Sequence, residues 1–290
     1  MDAIKPESDI TVKSSKSVAI LRRIPLHLLL LALAFFMVLP FLWMLSSSLK
    51  SPAAIFAIPI QWIPDQIVPG NYAEVFRHIP YAQFYLNTTR VAAINLAGTM
   101  FVTSLAGYAF ARLRFPLSGV FFAMILASMM IPYTVRVIPL FMLFQRIGWL
   151  NTHLTLIIPP IFSNAFGVFL LRQFFMTIPN DLEDSGRIDG CSSLRIYWTI
   201  MLPLCKSGLA AMGVFKFMED WNAFLPPLIF ITSRSKQLLS VGLALFQDDV
   251  STEWHLMMAA SAMAIIPMVI IFLLAQRYFV QGIAFTGLKT

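Results

Sequence analysis

The sequence predicts an all-α protein built from six membrane-spanning helices, and three observations carry that prediction. Apolar residues make up 58% of the 290 and charged residues only 12%, too little charge to cover the surface of a soluble domain. The apolar residues fall in six blocks, each long enough to cross a hydrocarbon core, which takes roughly 20 helical residues. Finally, the alternating pattern of a membrane β-barrel is missing from those blocks. Helices are the alternative that lipid permits, because they satisfy backbone polar groups within the segment.

Residues 1–23 read as a polar N-terminal tail, and Ile24–Ser48 is the first span. Its apolar run is too long for a signal peptide and "LSSSLK" is a poor cleavage sequence, so it reads as a retained anchor. Residues 49–83 form a proline-rich segment outside the membrane, with Trp62, Tyr72 and Tyr81 suited to the interface. A five-helix body follows over 84–280: Phe84–Leu113, Ser118–Leu140, Leu154–Met176, Leu204–Ile231 and Leu256–Val280. Pro132 and Pro139 are expected to kink the third span. A short tail, 281–290, ends the chain. No internal repeat is evident, which argues against an inverted-repeat secondary transporter.

The net charge of +7 is explained by where the basic residues lie. Lys5, Lys13, Lys16, Arg22, Arg23, Arg112, Arg114, Arg187, Arg195, Lys206, Arg277 and Lys289 fall on one side of the predicted spans. Half as many, Lys50, Arg77, Arg136, Arg146, Arg234 and Lys236, fall on the other. By the positive-inside rule the richer side is cytoplasmic, with both termini inside. The charge is a topology signal and gives no support to nucleic-acid binding. Cys191 and Cys205 then face a reducing compartment and are expected to be free thiols. The sequon at Asn87 sits at the edge of a span and is discounted.

One stretch breaks the apolar pattern. "IPNDLEDSGRIDGCSSLRIYWTIMLP" (178–203) crowds Asp181, Glu183, Asp184, Arg187, Asp189 and Arg195 between two spans, on the cytoplasmic side. Asn180 or Asp181 can cap a first short helix, with Glu183 and Asp184 in its first turn. Gly190 permits a turn, and Ser192 or Ser193 can cap a second helix bearing Leu194, Tyr197, Trp198 and Met201. The alternative is a solvated connector with ordinary cap chemistry.

This stretch resembles the EAA loop of ABC-importer permeases. Gly190, Ile200, Leu202 and Pro203 stand at that loop's separations, while the E-A-A triplet itself falls on Asp184, Ser185 and Gly186, with Glu183 just before it. "WMLSSSLK", "YAFARLRF", "MMIPYTVRVIPLF", "LLRQFFMTIP", "WNAFLPPL" and "QRYFVQG" resemble the carbohydrate-importer branch, in order along nearly the whole chain after Ile24. The resemblance implies the type-1 ABC transmembrane fold in a bacterial or archaeal cytoplasmic membrane. It also implies three kinds of partner: a second permease subunit, two ATP-binding subunits, and an extracytoplasmic sugar-binding protein. In such importers the loop docks in a cleft of the ATPase. Glu183, Asp184, Ser185, Gly186, Asp189, Gly190, Ile200, Leu202 and Pro203 become the coupling candidates, with Glu183 and Asp184 facing basic groups on the ATPase. The segment Thr232–Glu253, with Asp248 and Asp249, falls where the family meets its binding protein, and "GIAFTGLKT" falls near the ATPases.

A second polar group lies inside the predicted fifth span. Lys216, Glu219, Asp220, Trp221 and Asn222 sit near mid-depth, where each charge costs about 2.5–3.5 kcal/mol on insertion scales. Lys216 can pair with Glu219 and Asp220 on one helix face. The cluster is either a neutralised structural unit or the lining of a translocation path or gate, where Trp221 and Asn222 would meet sugar ring faces and hydroxyls. Arg90 and Arg136 are expected to snorkel to the outer interface.

The chain has no G-x-x-x-x-G-K-[ST] phosphate cradle, so it is expected to bind no cofactor of its own and to leave ATP to partner subunits. His27, His78, His153 and His255 are scattered, H-E-x-x-H is absent, and no nucleophile–base pair can be assigned. An intramembrane enzyme is therefore the weakest alternative, and a stand-alone channel or carrier would have no use for a docking loop.

Overall fold

The computed structural model describes residues 14–247 and 252–286, with side chains described over 24–247 and 252–277. Asp248, Asp249 and the tails 1–13 and 287–290 lie outside the described residues. Every regular element among the described residues is helical, apart from one isolated bridge between Gln247 and Thr252. Four helices are long and apolar enough to cross a membrane: Ile24–Ser48, Tyr81–Arg112, Leu154–Thr177 and Trp254–Arg277. Two further helix pairs pass the same test only when taken together, Ser118–Met129 with Tyr133–Arg146 bent by 99° and Ser193–Leu204 with Lys206–Trp221 bent by 78°, so the spans among the described residues number up to six if each bent pair is one.

Helix α1 (Ser14–Ser48) starts ahead of the apolar block at Ile24, since helical hydrogen bonding does not stop at the hydrocarbon boundary. Its apolar window is 0% buried, and it packs mainly on the last helix. At its end Lys50 is fully buried, donating to Gln61 O at 2.5 Å and lying 4.0 Å from the Trp43 ring centroid. That burial holds the ammonium below its ordinary pKa. Asn71 on α2 (Gly70–His78) ties the same corner down through Ser48 O and Lys50 O.

Helix α3 (Tyr81–Arg112) runs through the body and packs against five other α-helices. Tyr81 is not at the interface as expected. It is buried, with its hydroxyl donated to Ala260 O at 2.8 Å, because that tip finds a backbone partner inside. The third span departs furthest from expectation. The bend is sharp: α4 (Ser118–Met129) and α5 (Tyr133–Arg146) meet at 99°. The break falls at Pro132, whose missing N–H ends the ladder, while Pro139 sits inside α5.

Helices α6 (Leu154–Phe162) and α7 (Ala165–Thr177) continue one span across a break that Asn164 caps, accepting from Gly167 N at 2.6 Å. The connector 178–203 contains α8 (Asn180–Ile188), α9 (Ser193–Ile196), a π-helical turn over Tyr197–Met201 and α10 (Leu202–Leu204). The predicted continuous span Leu204–Ile231 is in fact two helices, α11 (Lys206–Trp221) and α12 (Leu225–Phe230). The consecutive prolines 226 and 227 cannot donate, so the helix restarts with them in its first turn. After α13 (Leu239–Ala244), α14 (Trp254–Thr286) closes the bundle.

Three apolar clusters hold these elements together. One joins α2, α3, α11, α13 and α14 through Val75, Phe84, Trp221, Leu239 and Ala260. Another gathers Val91, Phe144, Leu156 and Phe230. The third, with Tyr108, Leu171, Phe175, Ile196, Tyr197 and Met201, binds the connector to the ends of α3 and α7. Asn87, the discounted sequon, is buried and donates to Ser235 O and Gln237 O. It joins the loop before α13 to the first turns of α3, at the far end from the connector.

Candidate coupling and pathway sites

The connector forms an elbow whose geometry follows from its caps. Asp181 and Glu183 lie in the first turn of α8 and Arg187 in its last, as the helix dipole favours. The helix ends in a Schellman arrangement: Cys191 N donates to Gly186 O (2.9 Å) and Gly190 N to Arg187 O (3.0 Å). Gly190 sits at φ +74, the left-handed conformation that a side chain resists. Ser192 then caps α9, accepting from Arg195 N at 3.4 Å. The first helix is entered differently from expectation. Pro179 is its N-cap residue and neither Asn180 nor Asp181 caps it, because Asn180 Oδ1 accepts from Arg112 instead.

The two acidic coupling candidates face opposite ways. Glu183 is buried, accepting from Arg187 at 2.7 Å with Arg112 Nε 3.9 Å away. The Glu183 hydrogen bond and charge raise the Arg187 pKa further. Its carboxylate is committed inside the elbow, which corrects the expectation that Glu183 points at a partner. Asp184, next along the helix, is exposed, as are Ser185, Asp189 and Pro203. Gly186 lets the two arms close: a Cβ there would lie 3.1 Å from Ile200 Cδ1 and 3.2 Å from Ile196 Cγ1. Leu202 packs half-buried on the third cluster. The apolar ridge of the second arm divides, with Tyr197 and Met201 buried and Leu194 and Trp198 exposed. Ile188, at the tip, is 86% exposed. Cys191 and Cys205 are free thiols.

A cavity of about 650 Å³ lies between α3, α5, α6 and α11. Lys216, Glu219 and Asp220 line it. Lys216 Nζ, almost fully buried, lies 3.0 Å from Asp220 Oδ1 and 3.3 Å from Glu219 Oε2. Asn95 completes the cluster from α3, donating to Asp220 Oδ1 at 3.1 Å and to Leu156 O at 2.9 Å. Asn95 Oδ1, Asp220 Oδ2 and Arg136 Nε are buried without a hydrogen-bond partner among the described residues. Such groups are costly to leave dry, so the cavity suits water or a hydroxylated solute.

Trp221 and Asn222 do not line this cavity. Trp221 packs on Phe217 and Tyr85 and donates Nε1 to Ala264 O at 3.0 Å, so its ring belongs to the core against α14. Asn222 ends α11 and donates to Met218 O. The helical turn puts them on the opposite side from Lys216 and Asp220. Arg136 was expected at the interface, yet it borders the cavity. Arg90 is exposed, beside a smaller recess of about 420 Å³ with His153 and Lys236. Sequence reasoning missed Asn95, Thr103, Ser104, Tyr108 and Arg112. The available signal was the recurrence of polar residues along one side of an otherwise apolar span.

The described residues thus form a helical bundle of membrane-spanning length with a polar hollow and a braced, charged elbow, the build of a polytopic membrane protein. Residues 100–285 match the family described as "Binding-protein-dependent transport system inner membrane component", and the chain belongs to that family. It is 30% identical over 269 residues to a probable ABC transporter permease protein, YurM, of Bacillus subtilis, covering 91% of this chain and 86% of that one. It is 32% identical over 251 residues to the sulfoquinovosyl glycerol permease SmoH of Agrobacterium fabrum (86% and 88% covered). Over 237 residues it is 33% identical to the sn-glycerol-3-phosphate permease UgpE of Pectobacterium atrosepticum (79% and 84% covered). The fold matches a chain of a bacterial ABC transporter that imports the acidic polysaccharide alginate, with a TM-score of 0.78 at 24% identity, covering 94% of this chain and 100% of that one. The chain is thus a permease subunit of a binding-protein-dependent ABC importer.

Proposed function

We propose that this subunit forms half of the pathway for a sugar or polyol derivative, and that residues 178–203 couple it to a separate ATPase. The observation that supports this reading is the layout along α3. The elbow is anchored at the Ser104–Arg112 end, the polar cavity opens beside Asn95 at mid-length, and the loop through Ser235 and Gln237 is bonded at Asn87. Motor contact, conduction and delivery are thereby separated along one membrane-crossing helix. Asp184, with the exposed tip around Ile188, meets the ATPase, while Glu183 holds the elbow's shape. Lys216, Glu219, Asp220 and Asn95 line the path. Trp221 and Asn222 act against α14, outside the cavity. The segment around Arg234–Lys236 faces the binding protein.

The remaining assignments are part of the same proposal. The partner permease is a different chain, the chain catalyses nothing and binds no cofactor, and both termini are cytoplasmic. A cargo of the sugar or polyol class is supported by relatives named for sulfoquinovosyl glycerol and glycerol phosphate. The test is purification of the chain with its companions, followed by reconstitution. An ATPase should co-purify, and uptake should require both ATP and the binding protein, whose ligand is found by thermal shift. Uptake by the purified chain alone would refute the reading.

A further inference from the structure

We propose that Arg112 is the positioning residue that makes the elbow and α3 one mechanical body, so that thrust from the ATPase enters the bundle along α3. This deepens the coupling role proposed above and rests on it. The elbow's covalent joints are poor transmitters. It leaves α7 through Ile178, extended at φ −76, ψ 132, and it meets α11 at Cys205, where the helix axis turns by 78°. Backbone rotation at such element ends is how hinges absorb displacement.

Helix α3 bridges both joints without being part of the elbow. Ser104, Tyr108 and Arg112 recur every fourth residue, on one face. Each grips a different part of the elbow. Ser104 Oγ lies 2.7 Å from Tyr197 Oη in the π-helical turn, and Tyr108 Oη donates to Ser193 O at 3.3 Å at the start of α9. Arg112 reaches furthest. Its guanidinium donates to Phe175 O (2.6 Å) and Ile178 O at the end of α7, and to Asn180 Oδ1 at the start of α8. Its side chain is only 6% exposed, beside the equally buried Glu183. A planar fork holds several acceptors at once, and here it also satisfies carbonyls that the end of α7 leaves orphaned. The contact above this anchor is close as well. A Cβ on Gly107 would stand 3.0 Å from Arg172 N, so α3 and α7 approach backbone to backbone there.

The complete importer, reconstituted with its ATPase and binding protein, tests this with Arg112→Gln and Arg112→Lys. Transport per ATP hydrolysed should fall about tenfold in both, since a lone ammonium cannot replace the fork. Tyr108→Phe, which removes one hydroxyl, should fall less. A second measurement needs no change at Arg112: spin labels at the exposed positions Ile94→Cys and Arg195→Cys report the α3–elbow distance. That distance should be the same in nucleotide-free and ATP-trapped complexes. Normal transport per ATP in Arg112→Gln, or a distance that changes through the cycle, overturns the proposal alone. ATP-independent uptake by the unmutated complex overturns the coupling reading beneath it as well.

Discussion

At the scale of single residues, neighbours of similar chemistry have opposite duties. Glu183 and Asp184 are adjacent acids, but one carboxylate is buried between two arginines and the other is in solvent. Asp184→Lys should leave the subunit folded and weaken its hold on the ATPase by about 2 kcal/mol, the scale of a lost interfacial charge pair. Glu183→Gln should act within the subunit, lowering the melting temperature of the isolated permease, because Arg112 and Arg187 lose their counter-charge. Co-purification and thermal melting, measured on both variants, separate the two effects. Equal loss of ATPase binding in both would show that the assignment is wrong. Gly190 gives a third case: Ala at φ +74 costs roughly 1–2 kcal/mol. Gly190→Ala should therefore lower the melting temperature, and Gly186→Ala should lower it too, since its Cβ would press on the buried, β-branched Ile196.

Among the elements, the buried cluster on α11 shows how a costly group is accommodated in a membrane helix. Lys216 is bound by two carboxylates on its own helix and by Asn95 through Asp220. Lys216→Met should destabilise the subunit by about 3–5 kcal/mol, because it strands Asp220 in a buried site. Lys216→Met with Asp220→Leu should recover most of that loss. Protein yield and thermal melting give the stability comparison. Transport by the recovered double variant then decides whether the cluster conducts or merely supports. The (i, i+3) and (i, i+4) spacing made the cluster legible in the sequence. Asn95 was less so, because the recurrence of polar residues along α3 marks a face without showing which residue of another helix meets it. The same asymmetry explains the spans. Block lengths predicted six crossings, but the 99° turn at Pro132 and the restart at prolines 226 and 227 depend on which backbone groups find tertiary partners. Trp221 was misplaced for the same reason: composition suggests a sugar platform, and only the packing of α14 shows the ring enclosed.

For the whole molecule, the decisive quantity is the length of α3. Its 32 residues span about 48 Å at 1.5 Å per residue, more than the roughly 30 Å of hydrocarbon. Side chains bonded to its two ends therefore lie on opposite sides of the membrane. The elbow is bonded at Arg112, and the loop carrying Ser235 is bonded at Asn87. The proposed orientation puts the elbow's side, the one richer in basic residues, in the cytoplasm, and cysteine labelling tests it. In a background with Cys191 and Cys205 replaced, a cysteine at exposed Arg234 should react with an impermeant maleimide in intact cells. One at Ile188, 86% exposed, should react only in inverted vesicles, and bound ATPase should shield it. Labelling of both from the same side would contradict the fold. Labelling of Ile188→Cys from outside and Arg234→Cys from within would leave the fold standing and invert it, taking the elbow away from any cytoplasmic motor.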